Sequence, residues 1–523
     1  MEYNMQVKVK IEKDKIRLSF PYDKEKVKCC QTMAMRWSKT KKEWSTPNNY
    51  MNRVCLNRLF PGILPPEQKE EIKELVIPSF LMDHQKEALR RAARQNRRGI
   101  FHDTGTGKSC TALEIYRHHK VKTLVICPLS LIEGAWFEEI YNRYTDIDAS
   151  NLWAAKKRSP AAFGKALEKD LCIINYESFR TVDKKLANAG FKMAILDESA
   201  RIRTWKKNST ADKVINFCDN VKYVYLLSGV PAPNSMLEYW SQIRILDPLL
   251  WGKSFYRFRI KYFNPGGYGG YTWEVKPECE KKLKEDIKTV AEYVNKADVL
   301  DLPGRTESMR VFQLSAEERK HYKNIKNDLV TIIEEEGTTA VTTPSAVTAI
   351  MKLRQISSGF LLDGDICHTI GNSKIKELLQ LLEDIGEKQV IIWIQFKAEA
   401  QRIKEALQKK GIDSGILNST TAENEKQNYL KAFKGGNIQY IICHPKSVGY
   451  GHTLTNCSEA IYYSYSYSYD DDYQSGDRIY RFGQKEKCSL YYLIADKTMD
   501  LAILRAVQKK DSTSMAILNY LKK

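Results

Sequence analysis

The run Ile100-Phe101-His102-Asp103-Thr104-Gly105-Thr106-Gly107-Lys108-Ser109 forces the chain to enter a tight loop from a strand and to leave it on a helix. Two apolar residues precede the loop, two glycines bend it, and a helical run from Cys110 to Tyr116 follows. That order is the context a phosphate-binding loop requires. Gly105 and Gly107 let backbone N–H groups turn inward around an anion, with Thr104 and Thr106 in the same cradle, and the helix N-terminus adds partial positive charge. Lys108 is expected to reach the β- and γ-phosphates of a nucleotide, and Ser109 to ligate Mg²⁺. The full pattern G-x-x-x-x-G-K-[ST] is not met, because His102 stands where its first glycine would be. A glycine-rich turn beside a chance Lys-Ser pair is the alternative.

Two further segments bear on that choice. Met193-Ala194-Ile195-Leu196 reads as a buried strand and ends in Asp197-Glu198-Ser199-Ala200. Adjacent carboxylates at the C-terminal end of a strand suit metal-assisted phosphoryl chemistry: Asp197 would organise Mg²⁺ and Glu198 would polarise a water. Near the C-terminus stands Gln474-Ser475-Gly476-Asp477-Arg478-Ile479-Tyr480-Arg481-Phe482-Gly483-Gln484. Arg478 and Arg481 lie three apart, so on a helix they would share a face and reach one phosphate together. Guanidinium groups suit the charge that develops on a transferring phosphoryl group. Each segment alone has an ordinary explanation, a solvated acidic pair or a solvated basic helix face. Their order along one chain does not.

In that order the segments resemble the helicase superfamily 2 ATPases, specifically the Swi/Snf-type DNA translocases, over roughly residues 70–510. Leu81-Met82-Asp83-His84-Gln85 looks like the family's adenine-reading segment, with Gln85 as reader. Val125-Ile126-Cys127-Pro128-Leu129-Ser130, followed by Trp136 and Glu139, looks like its first DNA-contact motif. Leu227-Ser228-Gly229-Val230-Pro231 resembles its "SGTP" motif, Leu353-Arg354-Gln355 the start of its second lobe, and Asp477 to Gln484 its "DRxxRxGQ" ending. The resemblance implies an ATP site at Gln85, Thr104 to Ser109, Asp197, Glu198 and Gln474, with ATP and Mg²⁺ as cofactors. It implies DNA contacts at Pro128, Ser228, Gly449, Gly451 and Thr453, and a reaction completed by Arg478 and Arg481 when two lobes close. One departure is Gly449-Tyr450-Gly451-His452-Thr453-Leu454, where the family has Gly-x-Gly-Leu-Asn-Leu. Others are Ser199 and Ala200, in slots often filled by a small residue and a histidine.

The charge balance agrees with a polyanionic partner. The 523 residues carry a formal net charge of +19, and residues 1–62 hold fourteen Lys and Arg against six Asp and Glu. No apolar run approaches the roughly eighteen residues needed to span a bilayer. Met1-Glu2-Tyr3-Asn4 lacks the charged start and apolar core of a secretory signal. The twelve cysteines form no C-x-x-C pair and read as reduced, buried small hydrophobes, with no zinc site.

The expected architecture is α/β: two RecA-like parallel-sheet lobes, residues 67–302 and 303–523, behind a small basic α+β module at 1–62. Strands are expected at Gly99 to Phe101, Thr123 to Cys127, Leu171 to Asn175, Lys192 to Leu196 and Tyr223 to Leu227. A second series runs Gln389 to Ile394, Gly415 to Leu417, Gln439 to Cys443, Ala460 to Tyr463 and Ser489 to Ile494. The tyrosines at 462, 463, 465, 467 and 469 read as a period-two strand pattern. Glu334 to Glu336, with Thr338 to Thr343, reads as a solvated connection. Phe20-Pro21-Tyr22-Asp23, Trp37 to Trp44 and Pro47 resemble the HARP domain of annealing helicases, whose aromatic residues among lysines would stack on exposed bases. The plain alternative makes Trp37 and Trp44 core residues. These readings converge on a monomeric, cytoplasmic, DNA-associated translocase of bacterial or phage type acting on double-stranded or branched DNA. A strand-separating helicase or restriction-system motor is the rival enzyme, and a non-hydrolysing DNA-binding regulator the rival of another class. Deleting residues 1–62 is expected to leave basal turnover intact.

Overall fold

The computed structural model describes residues 7–65, 74–266, 272–336, 344–364, 366–445, 447, 454–466 and 475–508. The chain forms two units, Met1–Val299 and Leu300–Lys523.

The first unit opens with four strands, β1 (Lys8–Ile11), β2 (Lys15–Ser19), β3 (Arg36–Ser38) and β4 (Glu43–Pro47). They pair antiparallel in the order β1-β2-β4-β3. Helices α1 (Lys24–Thr32) and α2 (Tyr50–Leu59) pack on them around Ile16, Leu18, Cys30, Met51, Cys55, Leu56 and Phe60. Asp23 and Asn49 cap the two helices through their side chains, as short polar residues do at a helix start. Trp44 packs against this core while Trp37, its cross-strand partner at 5.2 Å between ring centroids, stays 46% exposed.

This module is seated on the rest of its unit. The Met51 N–H donates to the Asp219 carbonyl at 2.9 Å, and the Lys253 N–H to the Thr32 carbonyl at 3.2 Å. Arg58 pairs with Asp247 at 2.8 Å, Asn52 accepts from Lys253 Nζ, and Leu249 joins the module's core.

Seven parallel strands follow: β5 (Arg97–His102), β6 (Thr123–Cys127), β7 (Ala149–Asn151), β8 (Leu171–Asn175), β9 (Met193–Leu196), β10 (Tyr223–Leu227) and, after an antiparallel hairpin of β11 (Phe263–Gly266) and β12 (Thr272–Val275), β13 (Ala291–Val294). Their order is β13-β5-β10-β9-β6-β8-β7. Every residue of β6, β8, β9 and β10 is buried, the near-continuous apolar run expected of strands covered on both faces. Four neighbouring strands, β5, β10, β9 and β6, therefore deliver the loops at 103–107, 228–231, 197–198 and 128–131 to one edge of the sheet. Ligands of open α/β sheets bind at that edge. Pro265 and Gly266 end β11 of that hairpin, and residues 267–271 lie outside the described set.

The second unit holds a six-stranded parallel sheet: β14 (Arg305–Phe312), β17 (Val390–Trp393), β18 (Ser414–Leu417), β19 (Tyr440–Cys443), β20 (Glu459–Tyr462) and β21 (Cys488–Ala495), with a small antiparallel hairpin of β15 (Phe360–Asp363) and β16 (Ile366–Thr369). The order is β14-β21-β20-β17-β19-β18. Three expectations are corrected. Glu334 to Glu336 end the helix Ala316–Glu336 instead of forming a connection. The tyrosine run leaves the strand after Tyr462, and Tyr463 and Tyr465 are buried beyond it; Tyr467 and Tyr469 lie outside the described residues. Arg478 and Arg481 sit in successive turns and not on a regular helix. Among the described residues, no helix is long and apolar enough to cross a membrane. All twelve cysteines are unpaired thiols.

Candidate active site

The loop after β5 is bent by Gly105 and Gly107, both at φ +78°. Only glycine takes that conformation without steric cost. Gly107 meets a second demand, because an added Cβ would collide with the amide nitrogen of Gln85. Gln85 lies in helix α3 (Asp83–Arg94), donates to the Gly107 carbonyl at 3.0 Å and accepts from the Met82 N–H at 2.8 Å. Its amide thus ties the start of α3 to the loop, beside His84, whose Nε2 lies 2.9 Å from the Thr106 carbonyl. Thr106 Oγ1 closes the turn by donating to the Asp103 carbonyl at 2.7 Å.

Lys108 opens helix α4 (Lys108–His119). Its Nζ donates to the carbonyls of His102 and Asp103 at 2.9 and 3.0 Å. Ser109 follows in the first turn. Thr104 Oγ1 is buried with no hydrogen-bond partner among the described residues. Two left-handed glycines, a lysine and an unpartnered hydroxyl make a cradle whose chemistry fits a polyphosphate.

The substitution of histidine for the first glycine of the pattern has a local reason. His102 ends β5, and its ring turns into the core, 0% exposed, with Nε2 at 3.1 Å from Glu292 Oε1. Burial lowers the imidazole's proton affinity, against the pull of Glu292. Burial raises that of Glu292, but His102 and Arg98 outweigh it and hold the carboxyl below its usual range. A neutral ring donating from Nε2 to a carboxylate satisfies both. Arg98 Nε completes the cluster at 3.2 Å from Glu292 Oε2.

Asp197 follows β9 and is buried. Its Oδ2 accepts from the Trp136 indole N–H at 2.9 Å, and its Oδ1 from the Glu198 N–H at 2.9 Å. Trp136, fully buried, comes from a π-helical turn, Ile132–Phe137, of a kind that concentrates at functional sites. Trp136 follows the segment that resembles a DNA-contact motif, and its indole is held by the carboxylate. Desolvation pushes the Asp197 carboxyl up from the ordinary aspartate range, and Lys108, Trp136 and the Glu198 N–H oppose it. Lys108 and Asp197 follow β5 and β9, which flank β10 and end at the same edge of the sheet. Ser109 and Asp197 offer one hydroxyl and one carboxylate, hard oxygens of the type Mg²⁺ takes while keeping water and phosphate ligands.

Glu198 is held at φ +50°, a left-handed conformation that costs a non-glycine residue about 1–2 kcal/mol. Ser199 Oγ donates to Gln242 Oε1 at 2.9 Å, and Gln242 Nε2 donates to the Pro231 carbonyl at 2.7 Å. The loop after β10 also meets the phosphate loop, since an added Cβ on Gly229 would stand 3.1 Å from Thr104 Cγ2. Gln242, Glu292 and the role of Trp136 were not read from the sequence. A glutamine between Trp240 and Ile243, in a helix that also carries Ser241 and Arg244, offered only a weak signal for the first.

Of the nucleic-acid candidates, Pro128 and Ser228 are buried where strand meets loop, and the neighbouring exposed side chain is Leu129, 43% accessible. Gly449, Gly451, Thr453 and the nucleotide candidate Gln474 lie outside the described residues. Arg478 and Arg481 belong to the second unit. Gln484 anchors their segment: its amide donates to the carbonyls of Cys457 and Ile479 at 2.9 and 3.0 Å and accepts from the N–H groups of Lys485 and Glu486.

Comparison with known proteins adds a second line of observation. The SNF2-related domain matches residues 15–359, and the helicase conserved C-terminal domain matches residues 373–483. The chain is 25% identical over 467 residues to the SWI/SNF-related matrix-associated actin-dependent regulator of chromatin subfamily A-like protein 1 homolog of Caenorhabditis elegans, covering 85% of this chain and 63% of that protein. It is 22% identical over 455 residues to protein p41 of Acyrthosiphon pisum secondary endosymbiont phage 1, covering 82% of this chain and 95% of that protein. Among solved structures, the Sulfolobus solfataricus SWI2/SNF2 ATPase core in complex with dsDNA matches at 20% identity and a TM-score of 0.40, covering 83% of this chain and 93% of that one. The chain thus spans just under two thirds of the length of the C. elegans relative.

Proposed function

Because the chain belongs to the SNF2-related family and carries its helicase C-terminal domain, we propose that it is a DNA-dependent ATPase that translocates on double-stranded DNA. The observation that carries the reading is the delivery of a double-glycine phosphate loop, Lys108 and the buried Asp197 to one edge of the sheet. On binding ATP, Lys108 Nζ exchanges the two loop carbonyls for β- and γ-phosphate oxygens. Ser109 and Asp197 would hold Mg²⁺, which would supply charge neutralisation at the phosphates. Glu198 orients a water in line with the γ-phosphorus and takes up its proton. The water oxygen bonds to phosphorus as the bond to the bridging oxygen breaks, giving ADP and phosphate. Gln85 is assigned to the adenine, Arg478 and Arg481 to the charge on the transferring group.

The same reading assigns DNA contact to Gly449, Gly451 and Thr453, and a DNA-associated, monomeric working state. The exposed face of Trp37, with Arg36, Lys39, Lys41 and Lys42 beside it, supports contact of the N-terminal module with branched or single-stranded DNA. A triplex-displacement assay tests translocation. The chain is expected to displace the third strand with ATP and to unwind a tailed duplex poorly. Robust unwinding without triplex displacement makes it a helicase, and stimulation by RNA in preference to DNA removes the substrate assignment.

A further inference from the structure

We infer that Gln242 and Ser199 form a buried positioning pair that fixes the left-handed turn at Glu198 and ties it to the loop after β10; this rests on the ATPase reading above. Both side chains are 0% exposed, and their hydrogen bonds run in one direction, from Ser199 Oγ to Gln242 Oε1 and from Gln242 Nε2 to the Pro231 carbonyl. A primary amide carries acceptor and donor on one planar carbon, so a single side chain bridges the two loops. Leucine would fill the same space and leave a buried hydroxyl and a buried carbonyl without their partner.

The neighbouring residue acts with it. Ser241 Oγ donates to the Ile202 carbonyl at 2.5 Å, so one helical turn grips both ends of the 3₁₀ turn Ser199–Ile202. Glu198 immediately precedes that turn, and its backbone conformation is one that a side-chain-bearing residue keeps only when its surroundings hold it there. On the other side, Pro231 closes a loop whose Gly229 lies against Thr104. A continuous path, buried at Pro231, Gln242 and Ser199 and half-buried at its ends, therefore runs from the phosphate loop through Gly229, Pro231, Gln242 and Ser199 to Glu198. Gln242 and Ser199 act through Glu198 and touch no reacting atom, so their loss alters where the carboxylate stands and not whether nucleotide binds.

The test measures ATP turnover and melting temperature of the full chain as wild type, Ser199→Ala, Gln242→Leu, the double variant, and Glu198→Gln as the reference for lost water activation. Each single variant is expected to lower kcat by about 10- to 100-fold, the scale of an ångström-level misplacement. KM for ATP should stay within about twofold, because the phosphate loop is untouched. The double variant should fall no further than the worse single, since either change breaks the same path. Ser199→Ala removes one oxygen from the core and keeps the test decisive if Gln242→Leu fails to fold. A lower melting temperature with unchanged kcat per folded molecule would make the pair merely structural and overturn the inference. So would a KM that rises while kcat holds. Absence of turnover in the wild type would instead remove the ATPase reading, and the inference with it.

Discussion

Asp197 can bind a cation only as a carboxylate, yet its burial favours the protonated form. The sign of the pH effect follows from that opposition. A carboxyl whose folded-state proton affinity is raised stabilises the fold at low pH, and loses that contribution as pH rises through the folded value. Activity runs the other way, falling as pH drops through the same value. Replacing Trp136 by Phe removes one hydrogen bond that favours the charged form. The acid limb of the kcat/KM profile is therefore expected at higher pH in Trp136→Phe than in the wild type, and superposing profiles would discount the indole's role. His102→Gly is the companion case. It restores the glycine of the sequence pattern, but removes a buried partner of Glu292, and should cost about 1–3 kcal/mol in denaturant unfolding. The loop residues were legible because glycine, lysine and serine at fixed spacing have few other uses. Glu292 was not, because it arrives from β13, about 190 residues away in sequence, to meet a histidine whose mate no local pattern names.

Strands buried on both faces announced themselves as apolar runs, which is why β6, β8, β9 and β10 lie where the sequence put them. Three of the four outer strands of the two parallel sheets, β7, β13 and β14, did not. β14 pairs with one neighbour, leaves four consecutive residues exposed and reads Arg-Thr-Glu-Ser-Met-Arg-Val-Phe, without a buried stripe. β7 and β13 are three and four residues long. The N-terminal module is the larger lesson. The sequence marks it off as a small basic α+β module of its own, whereas its helices bond to Asp219 and Lys253 and share Leu249 with the motor sheet's own unit. Deleting residues 1–62 is therefore expected to lower the melting temperature and basal ATP turnover together, and an unchanged melting curve would show the module to be separable. In the second unit, Gln484→Leu would leave two carbonyls and two N–H groups without their side-chain partner. At about 1–3 kcal/mol per buried unsatisfied group, partly recovered by water, a loss of roughly 2–4 kcal/mol is expected by denaturant titration.

A net charge of +19 on 523 residues makes the whole chain a ligand for polyanions before any motif acts. Contacts to phosphates release counterions, so DNA affinity should fall linearly on a log–log plot against salt, with a slope set by the number of phosphates neutralised. The motor reading asks for more than affinity, because it requires duplex contact to change the rate of chemistry at Lys108, Asp197 and Glu198. The most direct measurement is steady-state ATP hydrolysis by wild type and Lys108→Ala, with and without duplex DNA, at one fixed salt concentration. The expected result is turnover that rises on adding duplex and vanishes in Lys108→Ala. Turnover indifferent to duplex, or surviving the loss of Lys108, would contradict the assignment of this chain as a DNA-dependent ATPase.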